Sequence, residues 1–147
     1  MKEKPNALLV ESRSKALGGL RLALQEQPID ISIARSCAEA AVALGSECPP
    51  HIVFSEIELS DGTWADVLAL AAKAAAPVNV ILVASFADVS FYVQAIERGA
   101  FDYIVPPLSE PELFHIVRTA AENALRRREH AMALPPTPPH GASARSF

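Results

Sequence analysis

Apolar residues along the chain gather into short solid runs, and these alternate with stretches in which they recur at helical spacing. Ala7 to Val10 is the first run, stopped by Glu11 and Ser12. A helix is expected to open at Ser14, with Leu17, Leu20 and Leu24 on one side, a weakening Gly18-Gly19 pair, and a stop at Pro28. Ile29, Ile31 and Ile33 alternate with Asp30 and Ser32, a strand with one wetter face. Ser36-Cys37-Ala38-Glu39 reads as a capping box for a short helix that ends at Gly45. Ile52 to Phe54 is the central run, with Pro49-Pro50 behind it and Asp61-Gly62 ahead.

The second half repeats the alternation. Trp64 to Ala76 is an alanine-rich helix closed by Pro77, and Val78 to Val83 is a β-branched strand. Asp88 to Arg98 is a helix expected to turn Phe91, Ala95 and Ile96 inward, with Gly99 at its C-terminal cap. Phe101 to Val105 is the last strand, ended by Pro106-Pro107. Ser109 and Glu112 form a second capping box, opening a helix striped by Leu113, Ile116, Val117, Ala120, Ala124 and Leu125. Five strands alternating with five helices imply an α/β domain: a parallel five-stranded sheet, helices on both faces, right-handed crossovers. The domain is expected over residues 6–128, with 129–147 a Pro-rich tail that buries nothing and stays disordered. No output domain follows, so a stand-alone domain is expected.

In such a sheet, ligands and chemistry collect beyond the carboxyl ends of the strands. Glu56 falls there, with Glu58, Ser60 and Asp61 in the loop beyond it. Half of the 147 residues are hydrophobic and the formal net charge is −4, which argues against general affinity for nucleic acid or anionic membranes. Cys37 and Cys48 lack ligand spacing and fit a reducing, cytoplasmic compartment.

Leu8-Leu9-Val10, Glu56-x-x-Leu59-Ser60-Asp61-Gly62, Pro77 to Asp88, and Gly99-Ala100-Phe101-Asp102-Tyr103-Ile104 followed by Pro107 stand in the order and spacing of blocks in one family. The chain resembles a response-regulator receiver domain from about Asn6 to Arg127. The resemblance implies the flavodoxin-like (βα)5 fold with strand order 2-1-3-4-5, and a role in two-component phosphorelay signalling. In that family an aspartate at the end of the third strand takes phosphoryl from a histidine kinase. Two acids after the first strand help hold Mg²⁺, a hydroxyl after the fourth strand and a lysine after the fifth contact the phosphoryl group, and an aromatic on the fifth strand follows its state.

Carried over position by position, the acid pair falls on Glu11 and Ser12, the acceptor on Glu56, the hydroxyl on Ala84, the lysine on Pro106 and the aromatic on Tyr103. Ser60 replaces the proline usual after the acceptor. Ser85 would restore a hydroxyl only by a one-residue slip, which turns every side chain of the strand over. Ser12 is a poor ligand for a hard cation, and Pro106 has neither charge nor N–H donor. The resemblance therefore implies a degenerate receiver, not an enzyme, without cofactor, acting by phosphorylation-independent protein contact. The alternative is a Mg²⁺-dependent phosphoacceptor using Glu56. Glu56 is then either a mimic of a phosphorylated acid or a solvated relic. Glu11, Glu56 and Glu58 are weak candidates for a divalent ion, against pairing with Arg13 or water. A protein partner or a second copy is expected on the helix4–strand5–helix5 face, with Phe91, Tyr92, Tyr103 and Arg118 as candidate contacts. Arg126-Arg127-Arg128 is read as complementing a helix dipole, Pro135 to Pro139 as tail or polyproline ligand, Trp64 as a helix cover, and the bond before Pro107 as cis.

Overall fold

The computed structural model describes residues 4–12 and 16–133. Four parallel pairings build one sheet from β1 (Asn6–Val10), β2 (Asp30–Ala34), β3 (Ile52–Glu56), β6 (Asn79–Val83) and β7 (Asp102–Ile104). The order is β2-β1-β3-β6-β7. Setting aside a small hairpin, β4 (Glu58–Leu59) with β5 (Gly62–Thr63), this is the expected 2-1-3-4-5. The helices α1 (Ala16–Leu24), α2 (Cys37–Leu44), α3 (Trp64–Ala72), α4 (Val89–Glu97) and α5 (Glu110–Ala133) alternate with the strands.

The solid runs became the central strands because every residue of β3 and β6 is buried, which only chains without polar alternation tolerate. Two cores result, one on each face of the sheet. Val10, Val53, Val67 and Leu82 belong to the first, and Leu9, Leu17, Phe54, Ile81, Leu113 and Val117 to the second.

Several boundaries and faces depart from expectation. The α3 helix stops at Ala72 rather than Ala76, with Lys73 as its cap. Ile33, Ile96 and Leu125, expected inward, are exposed, because β2 is an edge strand and α4 and α5 present only part of their apolar surface to the sheet. The Ser36 box is half formed: Ser36 Oγ accepts from Glu39 N, but Glu39 Oε1 accepts from Arg35 N, outside the box. The Ser109–Glu112 box is complete: Glu112 N donates to Ser109 Oγ and Ser109 N donates to Glu112 Oε1, and the backbone donor foremost holds the Glu112 carboxyl below its usual range. A further complete box, Thr63 with Asp66, opens α3 and had no reading in sequence. The bond between Pro106 and Pro107 is cis, as expected. The α5 helix runs to Ala133, five residues past Arg128. The remainder of the expected tail, 134–147, and the expected helix start at Ser14 lie outside the described residues.

Gly99 has φ +107°, which is why glycine ends α4. Gly19 in α1 is different: it is exposed, and a Cβ there meets nothing within 4 Å. Gly19→Ala is therefore expected to stabilise the domain by about 1 kcal/mol, read as a raised urea midpoint at unchanged m-value.

Candidate functional site

Glu56 ends β3, and the parallel register sets it beside Val83, one residue before Ala84. The side chain is not solvated. Glu56 is 2% exposed, which corrects the solvated-relic reading, since Ser12 closes over it. Its Oε1 accepts from Ser12 N at 2.9 Å and from Ser12 Oγ at 3.0 Å. Its Oε2 has no hydrogen-bond partner among the described residues. Burial pushes the Glu56 pKa up, and the nearby Glu11 charge adds to that, while the Ser12 donors pull the other way.

Glu11 is also buried, at 6% exposure. Its Oε2 lies 3.3 Å from Arg21 Nη1 and 3.2 Å from Arg35 Nη1. These two arginines were not singled out in sequence. Arg13, which was, lies outside the described residues. No local spacing signals such pairs, because the partners are 10 and 24 residues from Glu11.

Asp61, grouped in sequence with the acidic loop, serves another element. Its Oδ1 accepts from Cys37 N at 2.7 Å and its Oδ2 from Ala38 N at 3.0 Å, so it caps α2. Those donors hold the Asp61 pKa below its usual range. A Cβ at Gly62 would stand 2.6 Å from Asp66 Oδ2 and 2.8 Å from Cys37 Sγ, so any larger residue there would displace these two side chains. Glu58 is exposed, and its carbonyl lies 3.3 Å from Ser12 Oγ.

Beside Glu56 opens a cleft of about 360 Å³ lined in part by Glu58, Ala84, Phe86, Phe91 and Tyr103. Ala84 is buried and presents only a methyl group; Ser85 next to it is exposed. Pro106 is half-buried. Tyr103 donates from its hydroxyl to Phe86 O at 3.1 Å and packs edge-on against Phe91 and Tyr92, at 5.6 and 5.9 Å between centroids. Trp64 covers the α3 entry, 5.2 Å from Phe91, with the Arg98 guanidinium 5.6 Å over its ring. Arg118 is exposed and paired with Glu122 along α5 at 3.0 Å.

The arginines at 126–128 are not at a helix end, which corrects the dipole reading. Arg128 donates to Pro77 O, Pro49 O and Pro50 O, and Arg127 to Asn79 Oδ1. Asn79 in turn donates to Ala120 O and Asn123 Oδ1. One polar residue inside the Val78–Val83 run was the signal that could have exposed this anchor.

A doubly wound sheet carrying an acidic side chain at the end of its third core strand has the architecture of a receiver-type domain. The response regulator receiver domain family matches residues 7–118, and the chain belongs to it. It is thus a receiver domain of two-component signalling. The alginate biosynthesis transcriptional regulatory protein AlgB of Pseudomonas putida is 30% identical over 72% of this chain and 23% of its own length. The photosynthetic apparatus regulatory protein RegA of Rhodovulum sulfidophilum is 25% identical over 97% of this chain and 72% of its own. This chain thus spans about a quarter of the length of AlgB. The signal receiver domain of an HD domain-containing protein from Pseudomonas fluorescens superposes with TM-score 0.75 at 25% identity, covering 88% of this chain and 95% of that one. No helix among the described residues is long and apolar enough to cross a membrane.

Proposed function

We propose that this receiver domain signals by protein–protein contact and is not switched by phosphorylation at the acceptor position. The enclosure of Glu56 carries this reading: in a 2%-exposed carboxylate, Oε1 is taken by both Ser12 donors and Oε2, though unpartnered among the described residues, is buried, so no open nucleophile is offered. Around it, Ala84 and Pro106 supply neither the hydroxyl nor the cation that phosphoryl transfer requires where negative charge builds. Mimicry of a phosphorylated acid is disfavoured by the same burial, which raises the Glu56 pKa and works against a permanent charge.

The contact surface we assign is the α4–β7–α5 face. Val89, Tyr92, Val93 and Ile96 of α4 recur at i, i+3, i+4 and i+7 and are all exposed, an apolar stripe that makes no core. Tyr92 is held by Tyr103 of β7, while Phe91 points inward and serves as core support. Arg118 adds charge on α5. The occupant is a protein, a second copy of this chain included.

Incubation with Mg²⁺ and acetyl phosphate, followed by intact mass, is expected to give no adduct, and beryllofluoride to leave the amide spectrum unchanged. A covalent phosphoryl group on Glu56 overturns the proposal in favour of a Mg²⁺-dependent acceptor.

A further inference from the structure

We infer that Arg21 and Arg35 stand where the receiver family holds its divalent cation, so that the protein's own guanidinium groups close the acidic rim to metal. The inference rests on reading this rim as a receiver's, but not on what Glu56 can or cannot be made to do.

Both arms converge on one atom. Arg21 Nη1 from α1 and Arg35 Nη1 from the turn after β2 lie within 3.3 Å of Glu11 Oε2. A carboxylate on a residue only 6% exposed, contacted by two cationic donors, has its charge met without any ion. The neighbouring carboxylate is committed too, through Ser12 on Glu56 Oε1. The third position of the rim, Ser12, is neutral and spends its hydroxyl as a donor.

Mg²⁺ fits this arrangement poorly. It demands near-ideal octahedral oxygen geometry and keeps most of its waters, so it needs room and unshared carboxylate lone pairs. Here the oxygen it would use first already faces two positive groups, and an incoming dication would be repelled by both. The clamp nevertheless leans on solvent: the Arg21 and Arg35 side chains are 34% and 65% exposed. Their guanidinium groups can therefore be removed by substitution without emptying the core. What remains would be Glu11 beside Glu56, two like charges close enough for Glu11 to raise the pKa of Glu56, after the larger effect of burial. Such a pair recruits a cation or a proton.

The full chain is titrated with Mn²⁺, read by water-proton relaxation and by Tm, with Mg²⁺ as competitor. The native chain is expected to bind no Mn²⁺ up to about 10 mM. Arg21→Gln/Arg35→Gln is expected to gain a site, with Tm rising about 5 °C at ten times its dissociation constant. Adding Glu11→Gln abolishes the gain. Should the double variant fold poorly, Arg35→Gln alone, at the more exposed arm, shows a smaller gain of the same kind. Millimolar or tighter Mn²⁺ binding by the native chain overturns the inference, as do folded arginine variants that gain no site or a gain that survives Glu11→Gln. A phosphoryl adduct on Glu56 in a chain that still binds no Mn²⁺ would overturn the proposed function and leave the clamp standing. A clamp that fails on the variants alone leaves that function standing.

Discussion

Arg128→Ala is expected to lower the unfolding free energy by about 3 kcal/mol, while Arg126→Ala leaves it within about 0.5 kcal/mol. Arg128 donates through Nε to Pro77 O at 2.8 Å and through Nη2 to Pro50 O at 2.8 Å and Pro49 O at 3.1 Å. Pro49 and Pro50 precede β3 and Pro77 precedes β6, so one guanidinium ties α5 to the entry of both central strands. A charged donor makes hydrogen bonds worth about 1.5–3 kcal/mol each, but the head group is only partly buried, so three do not sum. Burial pulls the Arg128 pKa down, though the group stays charged. Urea denaturation of the two variants decides the matter. Equal losses of a few tenths of a kcal/mol at both positions would restore a general dipole effect.

Glu56→Gln is expected to stabilise the domain at pH 8 by roughly 2 kcal/mol, with the gain shrinking toward pH 4. Folding raises the Glu56 pKa, chiefly by burial, so the native state holds this proton more tightly than the unfolded chain does. The stability that goes with it is fully present below the unfolded carboxylate pKa. It is lost as pH rises through the folded value, leaving a desolvated charge with Oε2 unpartnered among the described residues. The amide keeps an oxygen to accept from Ser12 and carries no charge. Denaturant midpoints of the native chain and the variant, compared at pH 4 and pH 8, test the sign. A variant that is less stable at pH 8 than at pH 4, relative to the native chain, means that the Ser12 donors outweigh burial.

The strands were legible because a buried parallel strand has no polar alternation, and Ile52–Phe54 and Val80–Val83 admit hardly any other state. Glu56 was legible as a rim residue for the same reason: it is the first charge after such a run. The burial of that carboxylate was not. Exposure at a strand end depends on which neighbouring segment folds over it, and Ser12, 44 residues away and just after β1, is what closes on Glu56. Helical periodicity likewise located α4 but not its faces. Phe91 and Ala95 form one apolar side and Val89, Tyr92, Val93 and Ile96 another, and spacing cannot say which of two stripes meets the sheet.

Pattern by itself determined the order of elements, the parallel sheet and the acid at the rim, whereas reading Ala84 and Pro106 as a missing hydroxyl and lysine took the resemblance to the family. What pattern determined are properties of a residue and its near neighbours in the chain. Only the tertiary structure decided that Arg21 and Arg35 meet Glu11, that Asp61 caps α2 rather than joining Glu56, and that Arg128 grips the strand entries. Charged side chains find partners through space, over distances set by strand register and helix packing, and their separation along the chain carries no mark of it.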